Sequence, residues 1–200
     1  MKLLLFSDLH RDRDAATALV ELAKDADVMI GAGDFAIKRK GLADTIEILR
    51  TADCPAILVP GNGESVEELT QACRDWPQAH VLHGTAASVA GVSFFGIGGG
   101  IPTTPFGDWS YDFSEEEAAE LLRPMAKQDV LVTHSPPWNC VDIDGSGTHR
   151  GSPTIRQAIE ANKPRLVVCG HVHDSWEQTD RVGDSVVINA GPRGVWHTID

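Results

Sequence analysis

Short continuous apolar runs alternate with amphipathic segments along this chain of 200 residues. The first run, residues 3–6, contains no polar position, which is typical of a strand buried on both faces of a sheet. Comparable runs occupy residues 27–31, 56–60, 129–133 and 165–169. Helical patterns follow most of these runs, so the sequence predicts an α/β fold with functional groups at the carboxyl ends of its strands.

Polar side chains mark where the predicted helices begin. Asp12 can cap the first helix, and Ser65 with Glu68, like Ser114 with Glu117, has the spacing of a capping box. The predicted helices cover residues 12–24, 41–51, 65–74, 114–123 and 152–161.

The middle and the end of the chain are less regular. Residues 80–83, 87–90 and 92–95 are predicted strands, and the last two form a hairpin across Gly91. Residues 98–113 are predicted to form a long exposed loop, which is a candidate lid on the substrate side. A second loop covers residues 135–152. A final hairpin is expected to pair residues 175–179 with residues 185–189.

Composition is that of an ordinary globular protein, with 42% hydrophobic and 23% charged residues. The length suits one domain over residues 1–200. No apolar run could span a membrane, and the apolar start is too short for a signal peptide. The cysteines, Cys54, Cys73, Cys140 and Cys169, form no CxxC pair. This pattern favours free thiols in a reducing compartment, and hence the cytoplasm.

The formal net charge is −12, and the only run of three basic residues is Lys38-Arg39-Lys40. A protein that grips long nucleic acid by its backbone needs a basic face. The chain is therefore not expected to bind long nucleic acid. A small anionic substrate would need local positive charge, which bound metal ions can provide.

Side chains that can bind metal ions follow five of the predicted strands. The set is Asp8, His10, Asp34, Asn62, His134, His171 and His173. Imidazole nitrogens mixed with carboxylate and amide oxygens suit Mn, Fe, Zn, Co or Ni in a catalytic site. Seven ligands exceed what one such ion binds, so the set predicts two divalent ions. With only two carboxylates in the set, the loaded site keeps a positive charge that attracts phosphate.

Each of these residues also has an ordinary structural explanation when it is taken alone. Asp-x-His occurs in loops without any metal, and Asp34 and Asn62 lie in glycine-containing turns. His134 could be a loop histidine. The common position at strand ends favours the metal site over these alternatives.

Residues that contact the substrate are less clearly indicated. His149, in a glycine-rich loop, and Arg193 are candidates, because imidazole and guanidinium groups can bind phosphate. Trp109, Tyr111 and Trp138 could stack on a base or an aryl leaving group, or could simply cover the core. The other histidines are assigned to surface or packing roles, and they are His80, His83 and His197.

The order Asp8-x-His10, Gly33-Asp34, Gly61-Asn62, Thr133-His134 and Gly170-His171-x-His173 resembles the calcineurin-like metallophosphoesterase family. The resemblance runs from residue 8 to residue 173 and implies a four-layer α/β/β/α sandwich of two mixed sheets flanked by helices. It also implies two metal ions. One ion would be held by Asp8, His10, Asp34 and His173, and the other by Asp34, Asn62, His134 and His171, with Asp34 bridging. Members of the family hydrolyse phosphate mono- and diesters with metal-activated water.

One position departs from the family pattern. Many members carry a histidine directly after the motif asparagine, where it is thought to protonate the leaving group, whereas this chain has Gly63. Glu64, the following residue, could act as the acid instead, or it could interact favourably with the N-terminal dipole of the following helix. Some small members that lack this histidine are mainly diesterases.

The sequence therefore predicts a binuclear metal-dependent phosphodiesterase in which a metal-bound hydroxide attacks phosphorus in line. Asp34, Asn62 and His134 are its predicted catalytic residues. The natural substrate, the native metal and the oligomeric state are not specified by the sequence. Two alternatives are a weakly catalytic or non-catalytic interaction scaffold on the same fold and a metal-dependent hydrolase of non-phosphate substrates. A scaffold would have no need to keep all seven ligands.

Overall fold

A computed structural model describes residues 1–200. It contains eleven strands, five helices and one 3₁₀ turn. The strands are β1 (Lys2–Phe6), β2 (Val28–Gly31), β3 (Ala56–Leu58), β4 (Ala79–Val81), β5 (Thr85–Val89), β6 (Val92–Ile97), β7 (Val130–Thr133), β8 (Leu166–Cys169), β9 (Thr179–Val182), β10 (Ser185–Asn189) and β11 (Val195–Thr198). The helices are α1 (Arg13–Ala23), α2 (Leu42–Leu49), α3 (Val66–Ala72), α4 (Glu115–Leu122) and α5 (Pro153–Asn162), and the 3₁₀ turn is His173–Ser175. None of the helices has both the length and the apolar character that crossing a membrane requires.

The strands form two mixed sheets. The first has the order β11-β1-β2-β3-β4, and only β11 is antiparallel to its neighbour. The second has the order β5-β6-β7-β8-β10-β9, with antiparallel strands β5 and β9 at its edges. Because the inner strands of each sheet are parallel, their carboxyl ends lie along one edge.

The alternation of side chains along β1 explains why this strand is apolar throughout. Leu3 and Leu5 belong to the core between the two sheets, whereas Leu4 and Phe6 pack with residues of α1, α2 and α3. A third cluster joins the outer face of the second sheet to α4 and α5. The layers are thus helices, sheet, sheet and helices, which confirms the predicted α/β/β/α sandwich.

The predicted helix starts are confirmed. The Asp12 side chain accepts hydrogen bonds from two backbone N–H groups of α1. Both hydrogen bonds of the capping box are present at Ser65 with Glu68 and at Ser114 with Glu117. Each such cap is worth about 1 kcal/mol, so local sequence fixes where these helices begin.

The C-terminal part differs from the prediction in two places. The predicted strand at residues 175–179 is wrong, since a 3₁₀ turn and irregular chain occupy it and β9 begins only at Thr179. The left-handed backbone of Glu177 (φ 62°) interrupts an extended strand there. The prediction also missed β11, a half-exposed edge strand that pairs with β1. The ends of the other elements differ by two residues or fewer from the prediction.

Candidate metal centre

Loops at the carboxyl ends of β1, β2, β3, β7 and β8 carry the seven predicted ligands. The ligand atoms of Asp8, His10 and His173 lie within 4.8 Å of one another, and so do those of Asp8, Asp34 and His134. Asn62 and His171 approach His134, as described below. The seven side chains therefore form one cluster in space, although they are distributed over most of the sequence.

Four of the seven residues have a left-handed backbone. The φ angle is 55° at Asp8, 45° at His10, 58° at Asp34 and 67° at His171. Residues other than glycine rarely adopt this region, and they concentrate at functional sites where the surrounding structure holds them in place. Asp and His adopt this region more readily than most other residues, and here it helps to direct these four side chains into the cluster.

One half of the cluster contains Asp8, His10 and His173. The Nε2 atoms of His10 and His173 lie 3.1 Å apart. Oδ1 of Asp8 lies 4.0 Å from the first of these nitrogens and 3.8 Å from the second. Two imidazole lone pairs that face each other at this distance repel unless a proton or a cation lies between them. The arrangement therefore suits a bound cation.

The other half contains Asn62, His134 and His171. Nε2 of His134 lies 3.2 Å from Oδ1 of Asn62 and 3.2 Å from Nδ1 of His171. His134 is completely buried, and Asn62 is nearly so. An amide oxygen and two imidazole nitrogens thus converge in a site that excludes most water.

Asp34 lies between the two halves. Its Oδ2 is 3.6 Å from Nε2 of His10, and its Oδ1 is 3.6 Å from Nε2 of His134. Oδ1 also accepts a hydrogen bond of 2.7 Å from the backbone N–H of Gly63. One carboxylate therefore presents an oxygen to each half, as a ligand shared between two ions would.

Carbonyl groups outside the cluster fix which nitrogen of each ring faces it. Nδ1 of His134 lies 2.8 Å from the carbonyl oxygen of Ala32, and Nδ1 of His10 lies 3.3 Å from that of Ala36. Because a carbonyl only accepts, each Nδ1 must carry the proton. Both rings then direct an Nε2 lone pair into the cluster, which is the arrangement found in metal-bound histidines.

The surroundings shift the pKa values of three histidines in the cluster. Burial and the neighbouring His134 lower the pKa of His171 to about 3, and burial lowers the pKa of His173. Burial acts in the same direction on the pKa of His134, but Asp34 and Asp8 outweigh it and raise that pKa. Neutral imidazoles are the form that binds metal. The donor types and tautomers fit divalent transition-metal ions, and an ion bound at His134 would have to displace the proton that the raised pKa favours.

The carboxylate of Asp8 is held by three neighbours. Its Oδ2 accepts hydrogen bonds from Oγ of Ser7 at 2.5 Å and from the indole N–H of Trp176 at 3.1 Å. The backbone N–H of His171 lies 3.1 Å from both oxygens. The Trp176 ring also packs against His173, with ring centres 4.3 Å apart. These contacts fix a ligand from β1 relative to the ligands that follow β8.

Glu64 ties two of the ligand loops together. Its Oε1 accepts hydrogen bonds from the backbone N–H groups of Gly61 (2.7 Å), Asp34 (2.9 Å) and Phe35 (3.3 Å), and its Oε2 accepts one from Ala36 (2.9 Å). The side chain is completely buried. Burial and the charge of Asp34 raise the pKa of Glu64 to about 7. Because backbone donors of these loops occupy both oxygens, this geometry favours neither of the roles considered from the sequence, leaving-group protonation or the helix dipole.

Asn189, at the end of β10, holds the turn that carries His171. Its Nδ2 lies 3.2 Å from the carbonyl oxygens of Val141 and Gly170 and 3.1 Å from that of Val172. Asn189 is completely buried. The residue therefore joins the loop after β7 to the turn after β8.

The two predicted substrate residues lie outside the cluster. Nδ1 of His149 donates a 2.7 Å hydrogen bond to the buried carboxylate of Asp142. Nε of Arg193 donates to Glu177 at 2.6 Å, and the Arg193 side chain is 78% exposed. No hydrogen bond joins either residue to the seven candidate ligands.

The loop of residues 98–114 contacts the cluster through Asn62. Nδ2 of the Asn62 side chain donates to Oγ of Ser110 at 2.9 Å. The main-chain carbonyl of Asn62 accepts from the backbone N–H of Tyr111 at 2.9 Å. The first of these bonds fixes the amide so that its oxygen faces His134. The candidate lid is thus attached directly to a candidate ligand.

The family model of the calcineurin-like phosphoesterase superfamily domain matches residues 1–198. The chain belongs to this superfamily. The match extends over every strand and helix and includes all the loops that carry the clustered residues. As a calcineurin-like phosphoesterase, the chain belongs to a family of enzymes that hydrolyse phosphate esters with divalent metals.

Solved structures share the fold of this calcineurin-like phosphoesterase. The protein TT1561 of Thermus thermophilus is 21% identical with a TM-score of 0.78, covering 96% of this chain and 89% of that chain. Phosphopantetheinyl hydrolase from Mycobacterium tuberculosis is 15% identical with a TM-score of 0.64, covering 96% of this chain and 90% of that chain. A dimetal phosphatase from Danio rerio is 14% identical with a TM-score of 0.65, covering 96% and 87%. Among curated proteins, none matches the chain.

Sequence reasoning missed several residues that support the cluster. Ser7 is adjacent to a predicted ligand, and its hydroxyl could have been considered for that reason. Asn189 ends a strand, as the ligands do, and this position was a usable signal. Trp176 and Ser110 gave no signal, because their roles depend on contacts between segments far apart in the chain.

Proposed function

We propose that this calcineurin-like phosphoesterase is a binuclear metal-dependent phosphodiesterase that acts on a small phosphate ester. The observation that carries the proposal is the position of Asp34, whose two oxygens each lie 3.6 Å from a histidine nitrogen of a different half of the cluster. One ion would be held by Asp8, His10, Asp34 and His173, and the other by Asp34, Asn62, His134 and His171. Mn, Fe, Zn, Co or Ni bound there supplies Lewis acidity and activates water.

The chain's own residues orient this chemistry. Glu64 and Ser7 hold the carboxylate-bearing loops through buried hydrogen bonds. A site held in this way needs little rearrangement during the reaction, which is the main source of electrostatic catalysis. Asp34, Asn62 and His134 are the proposed catalytic residues, since they surround the more deeply buried half.

Neither Gly63, which has no side chain, nor Glu64, whose oxygens bind backbone N–H groups, is placed to protonate the leaving group. This favours substrates whose leaving group departs as an anion. Of the two proposed substrate residues, His149 has the chemistry of a proton donor, because Asp142 binds its Nδ1–H and leaves Nε2 free to exchange a proton. Arg193 is retained as a proposed phosphate contact that must first leave Glu177.

Charge and cysteine chemistry support the proposed setting. A net charge of −12 favours a small phosphate ester over long nucleic acid as the substrate. All four cysteines are free and buried, which agrees with a reducing compartment, and we place the protein in the cytoplasm.

Hydrolysis of bis(p-nitrophenyl) phosphate and p-nitrophenyl phosphate, before and after chelator-treated protein is reloaded with Mn²⁺, tests the proposal. We expect Mn²⁺-dependent hydrolysis with preference for the diester, and two ions per chain by elemental analysis. Preference for the monoester would make the protein a phosphomonoesterase. Two bound ions without hydrolysis of either compound would favour the scaffold, and hydrolysis of carboxylic esters alone would favour a non-phosphate substrate.

A further inference from the structure

The loop that contacts the candidate ligand Asn62 carries a pair of aromatic rings that are at least partly exposed. The rings of Phe106 and Trp109 stack with their centres 5.6 Å apart and their planes 11° apart. Phe106 is 50% exposed. Neither ring belongs to any of the three hydrophobic clusters that form the core. The pair therefore does not serve as a cover for the core, which was the ordinary explanation for aromatic residues in this loop.

Hydrogen bonds fix this pair relative to Asn62. Ser110, the neighbour of Trp109, accepts from Nδ2 of Asn62 at 2.9 Å and donates to Asp112 at 2.7 Å. Asp112 also accepts a 2.6 Å hydrogen bond from the hydroxyl of Thr104. The loop that carries the rings is thus held internally and is anchored to a candidate metal ligand. Trp109 is thereby held one residue from the contact between Ser110 and Asn62.

Basic side chains flank the same pair. Nζ of Lys38 lies 5.5 Å from the centre of the Trp109 ring, and Nε of Arg39 donates to the Trp109 carbonyl at 2.8 Å. Arg39 is neutralised by an ion pair with Glu68, whereas Lys38 has no carboxylate partner within 4.0 Å. The positive charge of Lys38 therefore stays unneutralised beside the Trp109 ring, in a chain with a net charge of −12.

We propose that Phe106, Trp109 and Lys38 form a subsite for a planar aromatic group that carries a negative charge, so that the phosphodiesters hydrolysed are nucleotide-like. This inference rests on the proposed phosphodiesterase function and names its substrate class. Bases stack on exposed aromatic side chains without strong dependence on base identity. The Lys38 ammonium attracts a phosphate attached to the stacked group. Stacking on one partly exposed ring should improve binding about tenfold.

Two inhibitors that differ only in the base test this subsite. Adenosine 5′-monophosphate and ribose 5-phosphate share the same sugar phosphate, and each is measured against bis(p-nitrophenyl) phosphate hydrolysis by Mn²⁺-loaded protein. We expect an inhibition constant about tenfold lower for the adenosine compound. Phe106→Leu should bring the ratio of the two constants close to one. Trp196→Leu is the matched control, because Trp196 is also exposed and lies beside a lysine, Lys2, but belongs to the edge strand β11, and it should leave the ratio unchanged.

Quenching of tryptophan fluorescence by adenosine 5′-monophosphate gives a second reading that needs no turnover. If the diester is not hydrolysed but quenching occurs and Phe106→Leu weakens it about tenfold, the subsite stands and the proposed hydrolysis is wrong. Equal inhibition constants in the unmutated protein overturn the subsite and leave the phosphodiesterase proposal intact. A ratio that survives both Phe106→Leu and Trp109→Leu, or that Trp196→Leu also abolishes, overturns the placement of the subsite.

Discussion

Replacing Glu64 with glutamine is expected to destabilise the fold, although the two side chains have nearly the same shape. The carboxylate accepts four backbone hydrogen bonds, three at Oε1 and one, from Ala36, at Oε2. Glutamine can keep an acceptor where three N–H groups converge. Its NH₂ group would then face the N–H of Ala36, and two donors would meet in a completely buried site.

The expected magnitude follows from these contacts. A buried donor that loses its partner costs about 1–3 kcal/mol, and glutamine leaves the Ala36 N–H and one of its own N–H groups unpaired. The other three bonds lose the strengthening that a charged acceptor gives. Relief from burying a charge offsets part of this loss. We therefore expect the free energy of unfolding to fall by about 2–4 kcal/mol, a large share of the roughly 5–15 kcal/mol of a typical domain.

Urea unfolding of chelator-treated protein, followed by circular dichroism at a pH above the Glu64 pKa of about 7, measures this difference without any contribution from metal binding. Glu67→Gln is the matched control, since Glu67 lies on the exposed first turn of α3 and should change stability by less than about 0.5 kcal/mol. If the Glu64 variant loses no more than the Glu67 variant, the carboxylate does not hold the loops.

Three further predictions concern metal, pH and leaving group. Asp34→Ala should abolish hydrolysis and reduce bound metal at both sites, whereas His149→Ala should leave metal content unchanged. If elemental analysis shows that both variants lose the same amount of metal, the ligand assignment is wrong. Burial lowers the pKa of His83, so its neutral form stabilises the fold above about pH 6.5, and that contribution is lost as the pH falls. The free energy of unfolding of His83→Gln, measured in urea, should therefore decrease less on the acid side than that of the unmutated protein. Identical pH profiles would refute this. Because Gly63 offers no proton donor, kcat should fall steeply as leaving-group pKa rises across phenyl and alkyl diesters, and a flat dependence would identify another acid, with His149 the first to test.

Much of the fold and of the cluster could be predicted because both depend on local pattern. A strand buried on both faces is apolar at every position, as residues 3–6 show, and it stops where polar residues begin. Parallel strands place their carboxyl ends at one edge, so side chains after separate strands converge. Asp8 and Asp34 could be grouped for this reason without knowledge of any distance.

What could not be predicted depends on contacts between distant segments. β11 is stabilised by pairing with β1, across nearly the whole chain, and its own residues are half exposed. Trp176 reaches Asp8 only because the 3₁₀ turn replaces the expected strand. The left-handed backbone at four candidate ligands likewise could not be read from the sequence, and hydrogen bonds such as those from the Asp8 and His10 N–H groups to the loop after β2 support it.

Gly63 is a position where the sequence and the structure lead to different expectations for a substitution. From the sequence it is the position where a histidine could be restored to supply the missing acid. In the structure a Cβ at Gly63 would lie 3.0 Å from the carbonyl oxygen of Ala36 and 3.1 Å from Oδ1 of Asp34, closer than ordinary contact. The Gly63 N–H also donates to that same oxygen of Asp34. Any side chain here therefore presses on the ligand proposed to bridge the two ions.

Gly63→His is accordingly expected to lower metal content before it can act as an acid. Gly63→Ala adds only the Cβ and separates the two effects. If pressure on Asp34 dominates, both variants lose metal and kcat, and the dependence on leaving-group pKa stays steep in each. If the loop yields by a few tenths of an ångström, both variants keep their metal and only the histidine variant shows a flatter dependence. That second result would contradict the argument that Gly63 is required by its distance to Asp34.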